Sequence, residues 1–210
     1  MKTDDLILAI SADTLLQKSV VQRLVRALPV AVGISIIAFV IFWGPRADIG
    51  AALVSVAVLK TLVPLGLVLL SGALAVALAH PGARFEKRGA ALGFLVAVVI
   101  AAFVIAVAWG GAGALVAALS TPLLLTCLLS IPLLAMPVLA AVFWGLSSGA
   151  AMRPRLTGAV AGLMAGGLAA SVYSIYCDKD MVLFVLPAYS TAIGSVAVIG
   201  ALVGPRVLKW

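Results

Sequence analysis

The sequence predicts an all-α polytopic membrane protein, a bundle of six transmembrane helices with cytoplasmic N- and C-termini. Three observations carry this. The chain of 210 residues is 65% hydrophobic and only 10% charged, where a soluble domain typically carries about 25% charged residues. Apolar stretches of roughly 18 residues or more recur, the length that crosses a hydrocarbon core of about 30 Å. These stretches are continuous rather than alternating, which selects helices over a barrel. The net charge of +7 then reads as a topology signal. No direct nucleic-acid contact is expected, because the basic residues are scattered over short loops.

Residues 1–26 form the one sizeable polar segment, with Lys2, Lys18, Arg23 and Arg26 set against Asp4, Asp5 and Asp13. Its acidic start and late apolar run make a poor signal peptide. Thr3 can cap a short helix whose first turn carries Asp4 and Asp5, a favourable place for negative charge. Leu6, Ile7, Ala9 and Ile10 give that helix an apolar face. Ser11 or Asp13 can cap a second helix that continues into the membrane. The segment suits a surface helix at the bilayer interface or a docking helix for a cytosolic partner.

Residues 27–210 form the transmembrane domain. Span one is expected at about 28–43, closed by Gly44-Pro45-Arg46, and span two at about 61–78, with Lys60 snorkelling at its start. Ile49 to Leu59 is apolar enough to lie against the membrane. Span three is placed at about 89–109, and the chargeless residues 110–120 read as a short loop or interfacial turn. Span four covers about 121–144, where Pro132 and Pro137 are expected to kink it. Span five covers about 156–176. Its Gly158, Gly162 and Gly166 fall on one stripe that lets a neighbouring helix approach closely. Packing within the chain's own bundle is the favoured use of that stripe. Span six covers about 182–203, stopped by Gly204-Pro205.

Six spans put both termini on one side. Eleven of the fourteen Lys and Arg residues fall on that side; Arg46, Lys60 and Lys179 fall on the other. The positive-inside rule therefore places the termini in the cytoplasm. Trp43, Trp109 and Tyr176 then lie near the outer boundary and Trp144 near the inner one, as an aromatic belt requires.

The chain has two cysteines, Cys127 and Cys177. Cys177 stands at the outer end of span five, beside Asp178, Lys179 and Asp180. Cys127 lies six residues into span four, about 9 Å below its outer end at about 1.5 Å per residue. Both thiols fall in the outer half of the bundle, which in a bacterium faces an oxidising compartment. A disulfide needs Cα atoms about 4.4–6.8 Å apart, a distance the spacing does not fix. Packing as small buried hydrophobes, redox pairing, and capture of a soft metal ion with an aspartate all stay open. Two cysteines without a matched histidine make a weak metal signature, and the single His80 is on the opposite side.

No enzyme is expected and no cofactor is implied. No carboxylate sits within a span, no Ser-His-Asp set is present, and no glycine-rich phosphate loop follows a strand.

Several segments occur together and in order: MKTDDLI at the start, TCLLSIPLLAMP around Cys127, a basic loop ending Arg153-Pro154-Arg155, VYSIYCDKDMVLF around Cys177, and the tail GPRVLKW. With six spans, this set resembles the NrsF family of membrane-bound anti-sigma factors, negative regulators of extracytoplasmic-function sigma factors of the sigma-F type. One departure stands in span six, where Pro187-Ala188-Tyr189-Ser190 replaces a Trp-Tyr pair frequent in such sequences. The resemblance implies a bacterial inner-membrane protein that holds its cognate sigma factor and releases it under oxidative or heavy-metal stress. It also implies that Cys127 and Cys177 are the sensing pair and that the N-terminal segment is cytoplasmic. On that reading Asp4 and Asp5 face the basic, DNA-binding surface of the sigma factor, while Leu6, Ile7 and Ile10 supply the apolar anchor. The alternatives are a small transporter or channel subunit, marked by a water-filled cavity near Pro132 and Pro137, and a membrane scaffold subunit associating through the glycine stripe.

Overall fold

A computed structural model describes residues 19–80 and 82–208, and among them the architecture is wholly helical. The helices are α1 (Val20–Phe42), a short α2 (Ile49–Leu53), α3 (Leu59–Leu78), α4 (Glu86–Leu119), α5 (Leu123–Leu146), α6 (Pro154–Tyr173) and α7 (Val182–Val207); a 3₁₀ turn, Val56–Val58, leads into α3. Six of them are long and apolar enough to cross a bilayer.

The chain starts α1 at a capping box. Ser19 Oγ accepts the Gln22 N–H at 3.3 Å, and Gln22 Oε1 accepts the Ser19 N–H at 3.3 Å. Two donors with no intrahelical partner are thus satisfied reciprocally. The basic turn of Arg23 and Arg26 is therefore continuous with the first span. The caps expected at Thr3, Ser11 and Asp13 lie outside the described residues.

The centre of the bundle is α6. Its glycine and alanine face packs against α7, and α3 and α5 close on its other sides. A Cβ on Gly158 would fall against the Gly200 carbonyl oxygen, and one on Gly162 against the Val196 carbonyl oxygen. Beside Gly166, the Ile193 Cα would stand 3.2 Å from such a Cβ. The stripe thus lies against α7 of the same chain. α1 lies on α5, where Ser35 Oγ donates to the Leu134 carbonyl oxygen at 2.9 Å. α4 sits at the edge against α7 and α3, burying only Leu92.

Three expectations are corrected. Residues 110–120 are not a loop: α4 runs to Leu119, broken at Gly111 (φ 77°, ψ 163°). Glycine alone tolerates that conformation readily, and the Ala- and Leu-rich residues beyond it are strong helix formers that resume the helix. Nor does Gly204-Pro205 stop the last span. Pro205 forfeits one backbone donor, yet the helix continues to Val207, and the Leu208 N–H still bonds the Gly204 carbonyl at 2.9 Å. Lys60 does not snorkel. It is buried, 8% exposed, because its partners lie inside the bundle end.

Candidate functional site

The start of α1 and the end of α7 share one end of the bundle. Here Arg23 stacks over Trp144 and Arg153 over Phe85, each at 5.6 Å. His80 is also here, with Nδ1 2.8 Å from the Val76 carbonyl oxygen. The opposite end holds both cysteines.

Cys127 is in the second turn of α5. Cys177 is in the turn between α6 and α7. Both are free thiols with no exposed surface. Though 50 positions apart in sequence, the two thiols are neighbours, near enough for each to perturb the other's ionisation. The Cys127 thiol donates to Tyr173 Oη at 3.5 Å, while the Cys177 thiol reaches the Lys179 carbonyl at 3.8 Å. Tyr189 of α7 closes the cluster. Its buried hydroxyl lies near Cys177 and has no hydrogen-bond partner among the described residues.

A charged clamp covers this cluster. Arg46, from the α1–α2 connection, grips Asp48 bidentately at 2.6 and 2.7 Å and reaches Asp180 at 3.1 Å. Its Nη1 also donates to the Cys177 carbonyl at 3.2 Å, and its backbone N–H donates to the Ile175 carbonyl at 3.0 Å. Lys60 Nζ, from the first turn of α3, donates to the same Cys177 carbonyl and to Asp180 Oδ1, the latter at 2.5 Å. Thr61 and Ser174 add a hydroxyl pair at 2.6 Å. Two cations thus meet two carboxylates, the arrangement that makes partly buried charge tolerable.

The clamp moves acidities. Burial raises Asp180, but hydrogen bonds from Arg46 and Lys60 outweigh it and hold the carboxyl below the usual range. The Arg46 bond lowers Asp48 likewise. For Cys177 the neighbouring Cys127 thiol is the largest influence and lowers it, while burial opposes; the Lys179 backbone and the Lys60 charge lower it further. The net direction is downward, toward thiolate.

An open pocket of about 390 Å³ adjoins the clamp, lined among others by Trp43, Arg46, Asp48, Tyr176 and Asp178. A smaller pocket lies at the other end, around His80, Phe85 and Arg153. Neither reaches Pro132 or Pro137. Among the described residues, no three His, Cys, Asp or Glu side chains converge to hold a metal ion.

Of the residues singled out in sequence, Cys127 and Cys177 come together here, and Gly158, Gly162 and Gly166 lie along the α6–α7 contact. Asp4, Asp5, Leu6, Ile7 and Ile10 lie outside the described residues. Sequence reasoning placed Asp180 beside Cys177 but missed Arg46, Lys60, Tyr173 and Tyr189 as neighbours of the thiols. A signal did exist: Arg46, Lys60 and Asp180 are rare charges that the topology places at one end.

Helices of this length and apolarity, closed over a buried thiol pair, define a multi-pass membrane protein of the six-helix class. The chain belongs to the NrsF family, described as negative regulator of sigma F, which matches residues 8–210. It is 30% identical over 217 residues to the "Anti-sigma-F factor NrsF" of Caulobacter vibrioides, covering the whole of both chains. It is also 39% identical over 85 residues, 40% of each chain, to the "Probable anti-sigma-F factor NrsF" of Azospira oryzae. No solved structure matches. The chain is a negative regulator of a sigma factor and belongs to a regulatory rather than an enzymatic family, which selects this class over the transporter and scaffold readings.

Proposed function

We propose that the protein holds an extracytoplasmic-function sigma factor of the sigma-F type at the bacterial inner membrane and releases it when Cys127 and Cys177 are oxidised to a disulfide. The observation that carries this is the proximity of two buried thiols from different elements, Cys127 on α5 and Cys177 on the α6–α7 turn. Packing alone does not require cysteine twice at one point. The distribution of Lys and Arg puts this end on the oxidising side and both termini in the cytoplasm. Residues 1–26 then carry the docking surface, with Asp4 and Asp5 facing basic sigma surface and Leu6, Ile7 and Ile10 anchoring it.

Oxidation removes two protons and two electrons from the thiols and creates a bond with fixed dihedral and sulfur distances. Two close-packed helices and a turn must adjust to it, and interiors packed this densely transmit strain rather than absorb it. The consequence is a shift between two packings that the cytoplasmic end registers. Oxidation is favoured over metal capture because only two soft donors meet here, with no third His, Cys, Asp or Glu beside them among the described residues.

A sigma-dependent reporter, read before and after a thiol oxidant, tests the proposal. Cys127→Ser and Cys177→Ser should each abolish the induced rise. An undiminished rise in both variants overturns the thiol mechanism.

A further inference from the structure

We propose that Lys60 is the positioning residue of the thiol pair: with Arg46 and Asp180 it fixes the Cys177 turn so that the Cys177 sulfur meets an oxidant first and Cys127 then closes the disulfide. This rests on the thiol-switch reading above, and the experiment below separates the two.

An ammonium group is costly to place there. A lysine at the start of a span would ordinarily extend its amine to the interface. The Lys60 side chain instead keeps only 6% of its surface exposed. Taking a charge out of water costs several kcal/mol before partners are counted. Its observed partners are the Cys177 carbonyl and the Asp180 carboxylate, both within the thiol turn. Arg46 Nη1 bonds that same carbonyl at 3.2 Å. Two cations from different elements therefore converge on one backbone oxygen, that of the reactive residue. A purely structural anchor needs no such convergence, since an apolar contact of equal volume holds a turn at least as well.

The two sulfurs are unequal in consequence. Cys177 is faced by Lys60 from α3, Arg46 and Asp48 from the α1–α2 connection, Cys127 from α5, Tyr173 from α6 and Tyr189 from α7, with Asp178, Lys179 and Asp180 on its own turn. Asp48 and Asp180 are engaged by Arg46 and Lys60, and the Asp178 side chain is 61% exposed. The positive charge is thus the part of the clamp directed at the turn. Cys127 lies deeper on α5, with the Tyr173 hydroxyl and Cys177 as its polar contacts. The outer pocket is lined by Tyr176 and Asp178, the residues on either side of Cys177. Neither sulfur is exposed, but Cys177 lies on the turn beside this pocket and Cys127 within α5, so an opening of the turn bares Cys177 to an oxidant first.

With a hydroperoxide as oxidant the step balances. The Cys177 thiolate attacks the terminal peroxide oxygen, the O–O bond breaks, and the alkoxide or hydroxide leaves and takes up a proton. Cys177 is now a sulfenic acid. The Cys127 sulfur attacks it, the S–O bond breaks, and water leaves with the Cys127 proton. Two thiols and one hydroperoxide yield one disulfide, one alcohol or water, and one water.

The test uses the full-length protein in lipid nanodiscs. In a Cys127→Ser background, iodoacetamide alkylation of Cys177 is followed against pH with Lys60 present, with Lys60→Gln and with Lys60→Arg. Lys60→Gln should move the midpoint upward by about one unit or more, the size expected when a close opposite charge is removed. Lys60→Arg should restore it. Asp180→Asn, which leaves Lys60 less neutralised, should move the midpoint downward and provides the measurement if Lys60→Gln fails to fold. Superimposable profiles for all variants, or an upward shift for Asp180→Asn, overturn the proposal. Hydrogen peroxide is then added to the unsubstituted chain. A Lys60-dependent profile without disulfide formation defeats the thiol switch and leaves the positioning role. A disulfide whose rate is indifferent to Lys60→Gln does the reverse.

Discussion

Gly158 of α6 and Gly200 of α7 meet backbone to backbone, each lying where a Cβ on the other would strike a carbonyl oxygen. The two helices therefore approach as closely as backbone atoms allow, which in lipid is a main source of helix association because no hydrophobic drive operates between helices. Gly158→Ala or Gly200→Ala should lower stability by about 1–3 kcal/mol or more, as overpacking does. Gly194→Ala, where the added Cβ meets nothing within 4 Å, should leave it unchanged. Thermal unfolding in detergent distinguishes them, and equal losses at all three positions would refute this account of the seam.

Ser35 ties α1 to α5 through the Leu134 carbonyl, one turn before Pro137. Its Oγ also bonds the Ala31 carbonyl of its own helix at 3.1 Å. Ser35→Ala removes the interhelical bond from a site with no exposed surface. A loss of about 1 kcal/mol is expected, the scale of side-chain hydrogen bonds between membrane helices. Chemical denaturation in mixed micelles measures it.

Acid should open the outer turn. The Asp180 carboxyl is held below the usual range in the folded protein, against about 3.9 for a free aspartate. Its contribution is therefore complete above about pH 4 and is lost as the pH falls through the lowered folded value. Hydrogen-exchange protection of residues 174–181, taken relative to the intrinsic rate at each pH, should fall on acidification, and Asp180→Asn should remove that fall. An unchanged acid response in Asp180→Asn assigns it to another group.

Deleting residues 1–12 should release the sigma factor while leaving the bundle folded, since α1 begins at its own cap, Ser19. Pull-down from membranes with the segment intact and deleted reads this directly. Retention of the sigma factor after deletion would move the docking surface to the basic loops around Arg84 and Arg153.

The six spans were legible because hydrophobicity is a local property that the chain carries wherever it folds. The close α6 contact was legible too, since Gly158, Gly162 and Gly166 recur at helical spacing. Residues 110–120 were misread because glycine signals a break without saying whether the helix resumes after it. Lys60 was misread for a different reason: a charge at a span's edge normally finds water, and only a partner distant in sequence can draw it inward.

The sequence by itself determined the number of spans, the side on which charge accumulates, and the two thiols available to that class of regulator. These follow from counting residues against the thickness and charge preferences of a bilayer. The tertiary structure decided that Cys127 and Cys177 are neighbours, that Tyr173 and Tyr189 lie beside them, and that Arg46 and Lys60 converge on the Cys177 carbonyl. Those contacts join residues many positions apart. They depend on how closely α6 seats against its neighbours, which is a matter of side-chain volume in three dimensions rather than of local pattern.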